Sequence, residues 1–266
     1  MKVYVVCDLE GTAGVIDHRQ QCWFDGKYYE QARRLATLEL NALVDGALAG
    51  GATEIVAWDG HGPFPGGLDV ELLHPRCKLV MGAGDGGPAG LDSSYNAVFQ
   101  LGLHGMAGAE KGIMAHSFMG HLTSVWLNGT LIGEIGMNCA LAGTFVVPCV
   151  FVSGDWAAAQ EAQALIPVIE TVVVKEGLNP GPGSLSNAPA IVLSPEAARN
   201  SIRVGAQRAM ARIGQIPPWT VTPPYTLRIR YKEAKYADQA LQNPVVKRVD
   251  ETTVESSGDD LRLLPI

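Results

Sequence analysis

The sequence predicts an α/β fold, with a mostly parallel or mixed central sheet and flanking helices, followed by a smaller α+β part. Val3 to Cys7 is apolar and rich in valine without polar alternation, as expected of a strand covered on both faces. Tyr29 to Leu48 places Ala32, Leu35, Ala36, Leu38, Leu40, Ala42, Leu43 and Ala47 along a helix, which Gly50-Gly51 stops. Glu54 to Trp58 is then a second strand, so the chain opens with a β-α-β unit. After Lys175 the texture shifts to Pro/Gly-rich connectors between shorter elements.

The remaining elements follow in order. Short apolar runs at Lys78 to Met81, Ala97 to Leu101, Gly112 to Met114, Ser124 to Leu127 and Phe145 to Val152 read as strands. Ala157 to Leu165 reads as a helix and Thr171 to Val174 as a strand. Gly177-Leu178-Asn179-Pro180-Gly181-Pro182-Gly183-Ser184 cannot continue either structure and is a loop or linker. Ser194-Pro195-Glu196 opens a helix, with a cap residue followed by proline at the first helical position, that runs to about Ile213. Thr226 to Tyr231, Val245 to Asp250 and Thr252 to Ser256 are strands, with a short helix near Glu233 to Leu241. The expected division is a larger α/β domain over 1–180 and a smaller α+β domain over 181–266.

Composition excludes several functions. Twenty Lys plus Arg against 27 Asp plus Glu give a net charge of −7 with no basic run, so the electrostatic footprint of nucleic-acid binding is missing. Five cysteines without a C-x-x-C pair argue against a disulfide framework or zinc ribbon and fit a reducing compartment. The N-terminal apolar run is too short for a signal peptide, and the tract from Cys139 to Val152 is broken by Pro148 and falls below the ~18 residues of a membrane span. A cytoplasmic protein without a membrane partner is expected. A mean hydropathy of +0.11 with 18% charged residues suggests apolar surface buried between copies of the chain.

The chemistry gathers at strand ends. Asp8-Leu9-Glu10-Gly11 follows the first strand, with two carboxylates at i and i+2 facing one side. The second strand ends in Asp59-Gly60-His61-Gly62, and a later one in Gly102-Leu103-His104-Gly105. Met114-Ala115-His116-Ser117 and Gly133-Glu134-Ile135-Gly136 come next, the latter after a turn at Asn128-Gly129. Open α/β sheets bind ligands at the carboxyl ends of their strands, so Asp8, Glu10, His61, His104, His116 and Glu134 should converge. Carboxylates and imidazoles without a thiolate suit zinc, manganese or another divalent metal, and six such groups suggest two ions bridged by a carboxylate. Alone, each residue could instead be a cap, a buried histidine or a surface charge.

His74 before a proline reads as a turn residue, and His18 beside Arg19 as solvated. His121 could stand behind the ligands, although a structural role is favoured, and Cys7 should pack as a small hydrophobe. Gly82-Ala83-Gly84-Asp85-Gly86-Gly87 matches a dinucleotide fingerprint, but Pro88 and Gly90 make a poor helix start, so a loop near the cleft is expected. Serine-hydrolase elbows, P-loops and His-Glu-x-x-His helices do not occur.

These motifs together resemble the zinc-dependent D-aminopeptidase (DppA) family over about residues 1 to 175. The resemblance rests on Asp8-x-Glu10-Gly11, Asp59-x-His61, Gly102-x-His104, Met114-x-His116-Ser117 and Gly133-Glu134-x-Gly136-x-Asn138. It implies two zinc ions per subunit, one held by Asp8, Glu10 and His61, the other by Asp8, His104 and Glu134. His116 then matches the catalytic residue, sometimes described as the nucleophile, and Asn138 is a candidate substrate-binding residue. The resemblance further implies a two-domain subunit in a decameric ring, acting on short peptides with an N-terminal D-residue such as D-Ala.

An imidazole near its unperturbed pKa of ~6.5 is better suited to proton transfer, so a metal-activated water with His116 moving the proton is the expected mechanism. The chain departs from the family pattern at Asn179-Pro180-Gly181-Pro182-Gly183, where arginine-bearing pairs are usual, and in a short C-terminal segment. Both touch substrate selection or subunit packing more than metal binding. A metal-dependent amidase or aminopeptidase acting on L-peptides or another small amide is the enzymatic alternative. A metal-stabilised scaffold or small-molecule binder is disfavoured, because a scaffold has no use for an acid/base histidine beside five ligand candidates.

Overall fold

The computed structural model describes residues 1–62, 64–84, 87–178 and 189–266. In chain order the elements are β1 (Lys2–Cys7), α1 (Tyr29–Ala49), β2 (Glu54–Asp59), β3 (Cys77–Val80), β4 (Ala97–Leu103), β5 (Leu122–Leu127) and β6 (Thr130–Ile132). There follow α2 (Glu134–Thr144), β7 (Cys149–Asp155), α3 (Trp156–Leu165), β8 (Glu170–Gly177), β9 (Ala190–Val192) and α4 (Pro195–Ala211). The chain closes with β10 (Tyr225–Tyr231), α5 (Ala234–Ala240), β11 (Val246–Arg248) and β12 (Thr253–Gly258).

The α/β class is as the sequence indicates. A seven-stranded sheet runs in the order β3-β2-β1-β4-β7-β8-β9, parallel throughout except for β9, which is antiparallel to β8. Residues 3–7, 97–103 and 149–155 are buried without interruption, which explains why their strands carry no polar alternation. α1 packs closely on α4, where a Cβ on Gly46 would overlap the Arg203 carbonyl. β1 and β4 are neighbours in the sheet but not in the chain, so the strand order reverses between them and opens a crevice at their carboxyl ends.

A second, antiparallel sheet has the order β11-β12-β10-β5-β6. Its core contains Leu122, Val125, Leu127, Ile132, Leu227 and Ile229. The expected boundary at 180/181 lies outside the described residues, and the two sheets exchange segments across it. β5 and β6 join the small sheet, whereas β9 and α4 belong with the large one.

Three expectations are corrected. Residues 112–114 form no strand, because Lys111 (φ 56°) and Met114 (φ 59°) are left-handed and the Ile113 N–H is taken by the Asp155 carboxylate at 2.9 Å. The strand expected over 145–152 begins only at Cys149, after a turn at Val146 (φ 60°) and Pro148, and continues to Asp155. Helix α2 was not anticipated. It is buried on both sides, with Ile135, Cys139 and Ala142 in the main core and Met137, Ala140 and Leu141 in the second, so it carries no amphipathic period. No described helix is long and apolar enough to cross a membrane.

Candidate metal centre and active site

The first half of the site stands on strand ends. Asp8 follows β1 and His104 follows β4, with the chains tied by Asp8 N–H to the Leu101 carbonyl (2.9 Å) and Gly11 N–H to the Gly102 carbonyl (2.6 Å). Gly102 has φ +74°, and a Cβ there would overlap the Asp8 carbonyl, so glycine is what lets the two backbones cross. His61 lies just beyond β2, where Asp59 closes the loop by accepting from Gly67 N–H (2.9 Å) and Leu68 N–H (3.1 Å).

The second half comes from an irregular loop, residues 105–121, and from α2. His116 N–H donates to the Gly105 carbonyl (3.2 Å), and Ser117 Oγ accepts from Ala107 N–H (3.1 Å). Lys111, Met114 and Phe118 all have φ between 56° and 59°, a conformation costing roughly 1 kcal/mol or more per residue that surrounding contacts must hold in place. Glu134 is the first residue of α2, and its Oε1 accepts from Phe118 N–H at 2.7 Å, linking helix to loop.

Each of the three facing histidines has one ring nitrogen engaged with a backbone carbonyl. His61 Nε2 donates to Cys22 O (2.8 Å), His104 Nδ1 to Gly105 O (3.0 Å) and His116 Nδ1 to Met114 O (2.8 Å). A carbonyl only accepts, so the hydrogens lie on those nitrogens and the opposite ones face the cluster. There His61 Nδ1 is 3.2 Å from Asp8 Oδ1 and 3.0 Å from Glu10 Oε2. His104 Nε2 is 3.3 Å from Asp8 Oδ2 and 3.6 Å from Glu134 Oε1. His116 Nε2 is 4.0 Å from Glu134 Oε1, and its ring stacks on His104 with centroids 4.0 Å apart. Asp8 thus presents one oxygen to each side.

Ring lone pairs and carboxylate oxygens are all acceptors, so the cluster needs protons or cations. Burial disfavours charged rings at His61 and His104, yet the facing carboxylates outweigh it and hold both pKa values well above the ordinary one. Burial likewise disfavours an ionised Asp8, but His104 and His61 hold its pKa well below the carboxylate range. Asp8 Oδ2, Glu10 Oε2 and His104 Nε2 are buried without a hydrogen bond. Orphaned oxygen and nitrogen donors converging at 3.0–3.6 Å fit ligation of a divalent metal such as zinc. The groupings Asp8–Glu10–His104 and His104–His116–Glu134 each place three ligand atoms within 4.8 Å of one another.

Buried ionisable groups behind the cluster brace it. Lys175 is 2% exposed, and its Nζ donates to the carbonyls of Glu10 and Val15, holding the loop that presents Glu10. Glu39 accepts from Ala13 N–H of the same loop (3.0 Å), with burial raising its pKa to about 8. Glu161 of α3 accepts from Gly133 N–H (2.8 Å) and Gly136 N–H (3.2 Å), so it seats the first turn of α2; burial raises its pKa to about 7.

The six residues picked from strand ends and turns come together. Asn138 lines the same cleft, its amide donating to Gln100 Oε1 at 3.0 Å. His18 does not behave as a solvated residue: it lines the cleft with Nε2 3.6 Å from Glu10 Oε1. Its position depends on a π-helical turn, His18–Cys22, that has no periodic signature in sequence. Glu161 is equally invisible in sequence, being one of three polar residues, with Gln160 and Gln163, in an alanine-rich helix. His121 also lines the cleft, stacked on Tyr236 at 4.1 Å, while His74 sits in a turn and accepts from Arg76 N–H (3.0 Å). Cys7 packs in the core.

The cleft has a volume of about 640 Å³ and includes Ala83, Gly84 and Gly87 of the glycine-rich segment, whose residues 85 and 86 lie outside those described. The departure at 179–183 also lies outside them.

A family model for peptidase family M55, D-aminopeptidase, matches residues 1–264. A D-aminopeptidase of Bacillus subtilis (strain 168) is 30% identical over 268 residues, covering 98% of this chain and 93% of the relative. The solved structure of the Zn-dependent D-aminopeptidase DppA from Bacillus subtilis, described as a self-compartmentalizing protease, superposes with a TM-score of 0.87 at 29% identity. That superposition covers 98% of this chain and 93% of the other. The resemblance read from the strand-end motifs is thus borne out, and the chain belongs to the D-aminopeptidase family M55, as a peptide-bond hydrolase of the aminopeptidase class.

Proposed function

We propose that this protein is a two-zinc aminopeptidase that removes an N-terminal D-residue, such as D-Ala, from short peptides. The observation that carries the reading is the pair of buried imidazoles, His61 and His104, whose carbonyl-fixed rings aim their free nitrogens at opposite oxygens of Asp8. Asp8 would be shared between the two ions, with Glu10 and His61 holding one and His104 and Glu134 the other. Zinc bound there supplies Lewis-acid polarisation of a carbonyl and acidification of water.

His116 holds its Nδ1 hydrogen on Met114 O and presents Nε2 to the cleft, where it carries the proton to the leaving amine. Asn138, with its amide fixed on Gln100, orients the substrate from the cleft wall. The self-compartmentalizing description of DppA supports a homo-oligomer here, and we take the decamer and a cytoplasmic location as working assignments.

The test combines metal analysis with a panel of D- and L-aminoacyl amides and dipeptides, with His116→Ala as control. Two equivalents of zinc and cleavage confined to D-aminoacyl substrates are expected. Preferential turnover of L-substrates would move the assignment to an L-peptidase, and less than one equivalent of tightly bound divalent metal would remove the mechanism.

A further inference from the structure

Besides His61 and His104, two further imidazoles face carboxylates of the cluster. On one side Glu134 Oε1 faces His116 Nε2 at 4.0 Å. On the other, Glu10 Oε1 faces His18 Nε2 at 3.6 Å. The two imidazoles meet edge to face, with centroids 5.9 Å apart, and both line the cleft.

His18 is held there by its own turn. Asp17 Oδ1 accepts from Gln20 N–H (2.8 Å), while Gln21 Oε1 accepts from the N–H groups of Ile16 (2.8 Å) and Asp17 (3.1 Å) and its Nε2 donates to Gly14 O (2.8 Å). The π-helical turn this produces is a feature frequent at functional sites. Beside it the Trp23 ring, 6.1 Å from His18, also lines the cleft.

We propose that His18 is a second substrate-contacting imidazole which, with the facing oxygen of Glu10, receives the free α-amino group of the substrate. This rests on the aminopeptidase reading above. A peptide carbonyl carbon carries the amide nitrogen on one side and the α-carbon on the other. With His116 serving the amide nitrogen, the α-carbon and its amine, one and two bonds away from the same carbonyl carbon, fall to the neighbouring groups, His18 and Glu10. An amine or ammonium there requires acceptors, and a carboxylate oxygen and an imidazole nitrogen both qualify. Trp23 then flanks the first side chain of the substrate.

The test uses the zinc-loaded protein and its His18→Ala and His18→Gln variants, with metal content measured in each. Inhibition by D-alanine hydroxamate is compared with inhibition by propionohydroxamate, which lacks only the amine. In His18→Ala the amine-bearing probe should weaken about tenfold or more, the size of one lost charge-assisted hydrogen bond, with the amine-free probe weakening much less. Gln, which keeps an acceptor, should recover part of the loss, and KM for a D-alanyl dipeptide should rise by more than kcat falls. Equal weakening of both probes, no weakening of either, or loss of a metal equivalent would each overturn the proposal. A wild type that binds zinc but cleaves no aminoacyl substrate would overturn the peptidase reading as well. A wild type that cleaves them, with an unchanged ratio of the two inhibition constants in the variant, overturns only the role of His18.

Discussion

Asp8, Glu10, His61 and His104 stand just beyond β1, β2 and β4, whereas Glu134 and His116 reach the same cluster from α2 and the 105–121 loop. The strand-end half inherits its geometry from the parallel ladder: Val3 to Cys7 pair in register with both neighbouring strands. The loop-and-helix half has no ladder. It is assembled by single side chains, with Asp155 holding Ile113, Ser117 holding Ala107 and Glu161 holding the first turn of α2. Regular structure thus places Asp8, and irregular structure places His116.

Asp8 turns one oxygen to His61 and the other to His104, and its removal should have the largest effect. Asp8→Ala is expected to lose both zinc equivalents and to lower kcat/KM by about 10⁴-fold or more, since the Lewis-acid contribution goes with the ions. Metal analysis after gel filtration checks this; one retained equivalent would show that the two proposed ion sites form independently. His116→Ala should lower kcat by about 10²- to 10⁴-fold, the usual range for general acid–base groups, while both equivalents remain. A variant lacking one equivalent would make His116 a ligand instead.

Glu161→Ala sharpens the comparison, because it loosens the seat of α2 without touching a ligand. A loss of about 10- to 100-fold in affinity for one ion, with the other unchanged, is the expected outcome of a metal titration. Equal weakening at both would mean that Glu161 supports the whole fold and not one half.

The smallest effect is a pH dependence from Glu39 behind the strand-end half. Its folded pKa of about 8 lies above the ~4.3 of an unfolded glutamate. The folded state therefore holds the proton more tightly, and the resulting stability is complete below about pH 4 and lost as pH rises through about 8. Melting temperatures of chelator-treated protein should fall between pH 5 and 8 on account of this group, with a slope of at most about 1.4 kcal/mol per pH unit. Glu39→Gln should flatten that trend, and an identical slope in the variant would rule Glu39 out as its source.

The contrast also separates what could be read from residues alone. Strand ends were legible because an apolar run followed by Asp-x-Glu or x-His at a glycine is a local pattern, and the sheet topology brings such ends together. α2 was not legible, since a helix buried on both sides has no polar face to give it a period. His18 was misread because a charged neighbour, Arg19, looks the same in sequence whether the histidine beside it faces water or a cleft. Arg19 itself is exposed and paired with Asp25 at 2.6 Å, while His18 turns inward.

Sequence by itself determined the α/β class, the family and which six side chains converge, because each depends on short-range patterns of apolar runs, glycines and ligand-type side chains. Tertiary structure alone decided that β5 and β6 leave the large sheet, with β5 pairing to β10, that Lys175 and Glu161 brace the cluster from behind, and that His18 enters the cleft. Those outcomes depend on contacts between residues far apart in the chain or on a turn without a periodic signature, and no local pattern encodes either.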